Sequence, residues 1–176
     1  MIETERLVLR AYREEDRDAF AALTGDPRVG YWVANVKDRA QSDVMMDRLN
    51  AHIAAHGYGL WGVARKTDDK IIGLCGLDPI AAGDLPVGPG VEMAWRMIPE
   101  VWRQGLASEA AAAALGWGLA NLAAPEILAF TADTNLASQG VMRRIGMTAD
   151  PSRDFDHPRL AADHPLLRHV VYVARK

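Results

Sequence analysis

Apolar residues recur along the chain with two different periods, and the switches between them predict the elements. Leu7-Val8-Leu9-Arg10-Ala11-Tyr12 is an apolar stretch of strand length, giving way to Glu14-Glu15-Asp16, acids suited to the positive end of a helix. That helix is expected to run through Phe20 and Leu23 and to stop at Gly25-Asp26-Pro27. A second helix fits Ala40 to His56, with Val44, Met45, Leu49, His52 and Ile53 at helical spacing and Gly57 as its stop. The period then shortens. Tyr58 to Ala64 and Ile71 to Leu77 are aromatic or β-branched runs on either side of the polar turn Lys66 to Lys70, which predicts a hairpin. After a loop rich in Gly and Pro, Val91 to Ile98 alternates. It sets Val91, Met93, Trp95 and Met97 on one face and Glu92, Ala94, Arg96 and Ile98 on the other, a third meander strand that Pro99 ends.

An alanine-rich helix is expected from Gln104 or Gly105 to Leu122, and a strand over Ile127 to Thr131. A short helix with an Asn135 cap and a Gly146 stop follows, and a last strand covers Arg168 to Ala174. With no internal repeat and no dividing linker, residues 1–176 read as one α+β domain, a mixed, mainly antiparallel sheet flanked by helices. A hydrophobic share of 49% with 24% charged residues excludes a disordered or disulfide-built chain. Twenty basic against 23 acidic side chains leave no footprint for a polyanion, so no nucleic-acid partner is expected. The uncharged run Ala110 to Ala124, fifteen residues, is too short to cross a bilayer and reads as a buried helix. The acidic start lacks the basic and apolar regions of a signal peptide, and the lone Cys75 suits a reducing compartment, so a cytoplasmic protein is expected.

Chemistry concentrates in Trp102-Arg103-Gln104-Gly105-Leu106-Ala107-Ser108-Glu109-Ala110. Gly105 and Ala107 let a ligand approach the backbone, and the first N–H groups of the following helix are free donors beside a positive dipole end. This arrangement suits a phosphate or pyrophosphate, with Arg103 and the Ser108 hydroxyl as further donors; the same residues also read as a plain loop capping a helix. Neither G-x-G-x-x-G nor G-x-x-x-x-G-K-[ST] occurs.

The strand Glu92 to Ile98 and the following Pro99 to Ala110 stretch carry a resemblance, together with Asn135-Leu136-Ala137-Ser138, Met142 to Met147 and the opening Glu3 to Arg10. In combination they resemble a GNAT N-acetyltransferase of the RimJ/RimL-like branch, along almost the whole chain. The family's pyrophosphate loop, Q/R-x-x-G-x-G/A, falls on Trp102 to Ala107, with Trp102 departing at the first position. The resemblance implies acetyl-CoA as cosubstrate, its pyrophosphate held by Arg103, Gln104, Gly105, Leu106, Ala107 and Ser108. Its pantetheine arm would lie beside the backbone of Met97 and Ile98, with Asn135 on the far side. It further implies direct attack of a neutral amine on the thioester within a ternary complex. Ser138 would serve the departing thiolate, an N–H near Met93 to Trp95 the oxyanion, and Glu92 the amine proton, directly or through water.

Each assignment has a structural counterpart. Ser138 also reads as a helix N-terminal serine, and Glu92 as a charge paired with a neighbouring strand. The resemblance implies a small-molecule amine or a protein N-terminus as acceptor, and a weak base favours an α-amine, about a tenth neutral at pH 7, over a lysine. Tyr31, Trp32, Tyr58 and Trp61 are candidates for an acceptor pocket or for the core. Two other functions fit part of the pattern. One is a CoA-binding regulator without turnover. The other is a metal-dependent hydrolase using Asp154, Asp156, His157, Asp163, His164 and His169; no metal is the preferred reading, since the prolines among them read as rigid turns. The chain is expected to act as a monomer or homodimer.

Overall fold

A computed structural model describes residues 1–176. Two short N-terminal strands, β1 (Ile2–Glu3) and β2 (Leu7–Arg10), lead through a 3₁₀ turn at Glu14–Asp16 into α1 (Arg17–Gly25). The expected stop at Gly25-Asp26-Pro27 is also a start. The Asp26 carboxylate accepts from the Arg28 N–H at 2.8 Å, and Pro27 opens a further short helix, α2 (Pro27–Tyr31). Helix α3 (Arg39–His56) begins at a capping box of Asp38 with Gln41 and ends at Gly57, whose φ of +76° places it in the left-handed region. Its buried stripe is Ser42, Met45, Met46 and Leu49, a perfect i, i+3, i+4, i+7 set. Val44, expected on that face, lies off the stripe and is 68% exposed.

The predicted meander forms as β3 (Leu60–Arg65), β4 (Ile71–Ile80) and β5 (Gly90–Met97), antiparallel throughout. The alanine-rich helix α4 (Leu106–Asn121) follows, then β6 (Glu126–Ala132), α5 (Leu136–Arg144), β7 (Thr148–Ala149), β8 (Phe155–Asp156) and β9 (Arg168–Arg175). The strand order is β1-β2-β3-β4-β5-β6-β9-β7, with β8 also on β9. A single neighbour pair, β5 with β6, is parallel, and it meets at one residue pair, Glu92 opposite Leu128. Parallel strands that touch once and then part leave a gap at their C-terminal ends, and the site lies there.

The sheet is covered on both faces. Met93 and Met97 belong to the large core under α4, with Ala110, Ala111, Ala114 and Leu115. Tyr12, Phe20, Leu23, Met45, Met46 and Leu49 build a second core under α1 and α3, against which Ala94 packs. The alternation along β5 thus separates two environments as the sequence predicts. Residues of the opening motif secure the start of α4. Glu109, in its first turn, accepts from Thr4 Oγ1 at 2.6 Å, from the Arg6 N–H at 2.8 Å and from Arg6 Nε at 2.6 Å. Arg6 also donates to the Gln104 carbonyl at 3.1 Å. Glu109→Ala is expected to lower stability by about 1 to 3 kcal/mol, read as a lower urea midpoint at unchanged m-value; an unchanged midpoint contradicts the clamp.

Candidate active site

Where β5 and β6 part, a cleft of about 1220 Å³ opens, bounded by the starts of α4 and α5, the segment around Val29 to Lys37, and the segment from His157 to His169. The strand edge facing it follows from register. The Ile98 N–H donates to the Ile72 carbonyl at 2.9 Å, on the β4 side. Backbone groups alternate along a regular strand, so those of Trp95 and Met97 point to the other edge, into the gap. The Met97 carbonyl is already engaged by the Trp102 indole, whose Nε1 donates at 2.8 Å. The open edge therefore consists of the Trp95 peptide groups and the Met97 N–H.

The loop before α4 is shaped by two residues with left-handed backbone, Arg103 (φ +63°) and Gly105 (φ +79°). Gly105 adopts it freely, and Arg103 is strained there. The Trp102 N–H bonds to the Pro99 carbonyl and the Glu109 N–H to the Gly105 carbonyl, whereas no N–H from Arg103 to Ser108 has a protein acceptor. Consecutive free amides at a helix start make a strong anion site. Ser108 Oγ accepts from Arg144 at 3.2 Å, which brings a guanidinium from α5 to the first turn of α4. Arg144 was invisible as a site residue in the sequence, where it reads as a cation complementing the C-terminal end of α5.

On the opposite wall Asn135, 8% exposed, caps α5. Its Oδ1 accepts from the Ser138 N–H at 3.2 Å and its Nδ2 donates to Thr131 Oγ1 at 3.0 Å, leaving one amide hydrogen free. Ser138 lines the cleft, and its hydroxyl has no protein partner. Glu92 lines the cleft from β5 with its carboxyl pushed up to about 7, chiefly by burial and then by Asp78 across the strand pair, against a smaller opposing pull from Arg96. A carboxyl at that position holds and releases a proton near neutral pH.

Glu92, Met97, Arg103, Gly105, Leu106, Ala107, Ser108, Asn135 and Ser138 are thus brought together along one cleft. The Gln104 side chain is exposed and turns away, its Nε2 donating to the Glu100 carbonyl, while its N–H stays in the free run; the Ile98 amide is committed to β4. Of the four aromatic candidates Trp32 alone lines the cleft. Trp61 and Tyr58 pack on Trp117 at 5.4 and 6.2 Å, and Tyr31, 52% exposed, stands edge-on to Trp32. Cys75 is fully buried, and burial pushes its thiol up, so it is no nucleophile. In the C-terminal segment the His157 and His169 rings lie 4.9 Å apart on the cleft wall, both pKa values lowered chiefly by burial. No three His, Cys, Asp or Glu side chains converge there or elsewhere as a metal cage.

A strand edge left open beside a run of free amides at a helix start thus borders one cleft. The chain belongs to the GNAT acetyltransferase family: the model for the acetyltransferase (GNAT) domain matches residues 6–148. It is 27% identical over 148 residues, 83% of this chain and 81% of the relative, to YoaA, an uncharacterized N-acetyltransferase of Bacillus subtilis (strain 168). Its fold matches a putative ribosomal-protein-serine acetyltransferase from Vibrio cholerae with a TM-score of 0.77 at 14% identity, covering 99% of this chain and 97% of that one. It also matches spermidine N-acetyltransferase from Vibrio cholerae, solved with CoA and spermine, with a TM-score of 0.75 at 16% identity, covering 98% and 96%. The mixed sheet and its flanking helices are therefore those of the family, and structural neighbours include the ribosomal-protein acetyltransferases for which the RimJ/RimL-like branch is named. No helix is long and apolar enough to cross a membrane.

Proposed function

We propose that the protein transfers the acetyl group of acetyl-CoA to a primary amine by direct attack in a ternary complex. The observation that carries this reading is the run of unpartnered amides from Arg103 to Ser108 beside the open edge of β5. The amides, the Arg103 and Arg144 side chains and the Ser108 hydroxyl fit a pyrophosphate. The Trp95 peptide groups and the Met97 N–H fit the amides of a pantetheine arm, with the free Asn135 hydrogen opposite. In this reading the arm meets Trp95 and Met97 in place of the expected Met97 and Ile98, because the Ile98 N–H already serves β4.

Bound acetyl-CoA supplies the activated acyl thioester. Glu92 accepts the proton that the attacking amine must lose, an open N–H of β5 donates to the developing oxyanion, and Ser138 donates toward the departing sulfur. Trp102 holds the end of β5 in place through the Met97 carbonyl, which keeps the donor edge aligned for attack.

Saturating acetyl-CoA is expected to raise the melting temperature, since a ligand at about 100 times its Kd stabilises by about 2.7 kcal/mol. No shift refutes the reading. With an amine and peptide panel and free thiol as readout, Ser138→Ala and Asn135→Ala are each expected to slow release about 10- to 100-fold. Unchanged rates in both variants remove these residues from the mechanism.

A further inference from the structure

The cleft carries a charge imbalance that the phosphates of a CoA thioester account for only in part. Six cations line it, Lys37, Arg48, Arg96, Arg103, Arg144 and Arg159, against one acid, Glu92, in a chain whose net charge is -3. Ion pairing elsewhere is dense, yet none of these six has a carboxylate within 4.0 Å. Arg103 and Arg144 flank the amide cradle. The other four come from β5, α3 and the two segments around Val29 to Lys37 and His157 to His169, which meet each other at a second hollow lined by Tyr31 and Leu166. They line the cleft from elements other than the amide cradle.

We propose that the acceptor is a small amine bearing a carboxylate or phosphate, its nitrogen placed at Glu92 and its acidic group at Arg96. This rests on the reading of the cleft as an acetyl-transfer site. Glu92 and Arg96 share one face of β5 with only Ala94 between them, a methyl group that leaves the floor open. Four residues of strand separate their Cα atoms by about 13 Å, so the two side chains face a molecule that reaches from one to the other. Arg96 makes no hydrogen bond or ion pair within the protein, and burial pulls its pKa down against the weaker support of Glu92 and Tyr12. An unpaired guanidinium in a desolvated wall is costly, and an anion delivered by the substrate offsets that cost. The surrounding cations also disfavour the ammonium form of the acceptor, which repels a polyamine and favours the neutral nucleophile.

The test compares matched acceptors on the full-length protein by calorimetry with CoA bound and by thiol release from acetyl-CoA. 4-Aminobutyrate is set against its terminal amide, O-phosphoethanolamine against ethanolamine, with spermidine as the polycation. At least one acidic amine is expected to bind and react about 10- to 100-fold better than its uncharged partner, with spermidine weakest, and the better pair identifies the acid. Arg96→Met is expected to bring that ratio to about one. Arg96→Lys, which keeps the charge without the planar fork, retains part of it and guards against loss of folding. Lys70→Met, at an unpaired cation outside the cleft, leaves the ratio intact. Equal use of acid and uncharged partner by the native protein, or a ratio that survives Arg96→Met, overturns the proposal while leaving acetyl transfer standing. If acetyl-CoA neither binds nor reacts, the transfer reading falls, and calorimetry of the acid and neutral partners with the free protein still decides the anion site.

Discussion

Glu92→Gln is expected to reduce kcat/KM for acetyl transfer at pH 7 by about 100-fold or more, the ordinary range for removal of a general base, and at the same time to stabilise the protein above neutral pH. Both effects come from the same burial, which raises this carboxyl from 4.5 to about 7. Only the carboxylate accepts a proton, so activity falls as pH drops through about 7, in addition to the titration of the amine itself. The variant should keep the amine's titration and lose the other limb. For stability the sign is reversed. Between about 4.5 and 7 the folded chain keeps a proton that the unfolded chain releases, so the contribution of this group declines as pH rises through that window and is lowest above it. Gln carries no such penalty, and the gain at pH 8 should be on the order of 1 to 3 kcal/mol, vanishing below about pH 4.5. For a chain of this size each kcal/mol is about 2 to 4 °C in Tm. Asp78, Arg96 and, behind Asp78, Arg48 and His52 are the charged neighbours that set this balance. A pH–rate profile unchanged by the substitution removes Glu92 from the role of base, and a lower Tm at pH 8 contradicts the burial that raises its carboxyl.

Ala107→Asp is expected to weaken acetyl-CoA binding by about 100-fold while leaving the free protein as stable as before. Ala107 lies in the first turn of α4 and lines the cleft beside the free amides. A carboxylate there meets the same N–H groups and the same dipole end that would receive the pyrophosphate. It satisfies them internally, gaining about 0.3 to 1 kcal/mol for the helix, and repels the ligand. Titration calorimetry reads the affinity and a thermal melt without ligand reads the stability. Tight binding by the variant places the phosphates elsewhere, and a collapse in Tm instead indicates that Ala107 matters through its packing on the core.

The long elements were legible because each carries its own period and its own punctuation. Val91 to Ile98 alternates strictly, and its two faces enter two separate cores; Asn135 and Gly146 mark the two ends of α5. Four elements escaped for identifiable reasons. Strands β1, β7 and β8 are two residues each, too short to show a period and held by pairing with a longer partner. Helix α2 was read as a boundary because Asp26-Pro27 ends one helix and caps the next within the same residues. At the site, local backbone features could be read ahead: the cradle is one contiguous stretch, and the amides from Gly105 to Ser108 are free as a helix start requires, with those of Arg103 and Gln104 free in the loop before it. What could not be read is whatever depends on residues distant in sequence. Arg144 reaches Ser108 across 36 positions, and Arg96 is one charge among twenty until the cleft shows it without a hydrogen-bond or ion-pair partner.

In its backbone pairing, the sheet is two antiparallel plates joined along a seam one residue pair long. Strands β1 to β5 form one plate and β6 to β9 the other, and Glu92 with Leu128 is the single rung between them. Helix α4 packs across the joint like a splint. Shared core holds the plates together more than the ladder does, since Leu77, Met93 and Met97 of one plate and Ile127, Ala129 and Tyr172 of the other lie in a single cluster under α4. Non-directional side-chain packing thus does at the seam what backbone hydrogen bonds do elsewhere in the sheet, and so the edge at Trp95 and Met97 is left without a strand partner while the two plates still form one body.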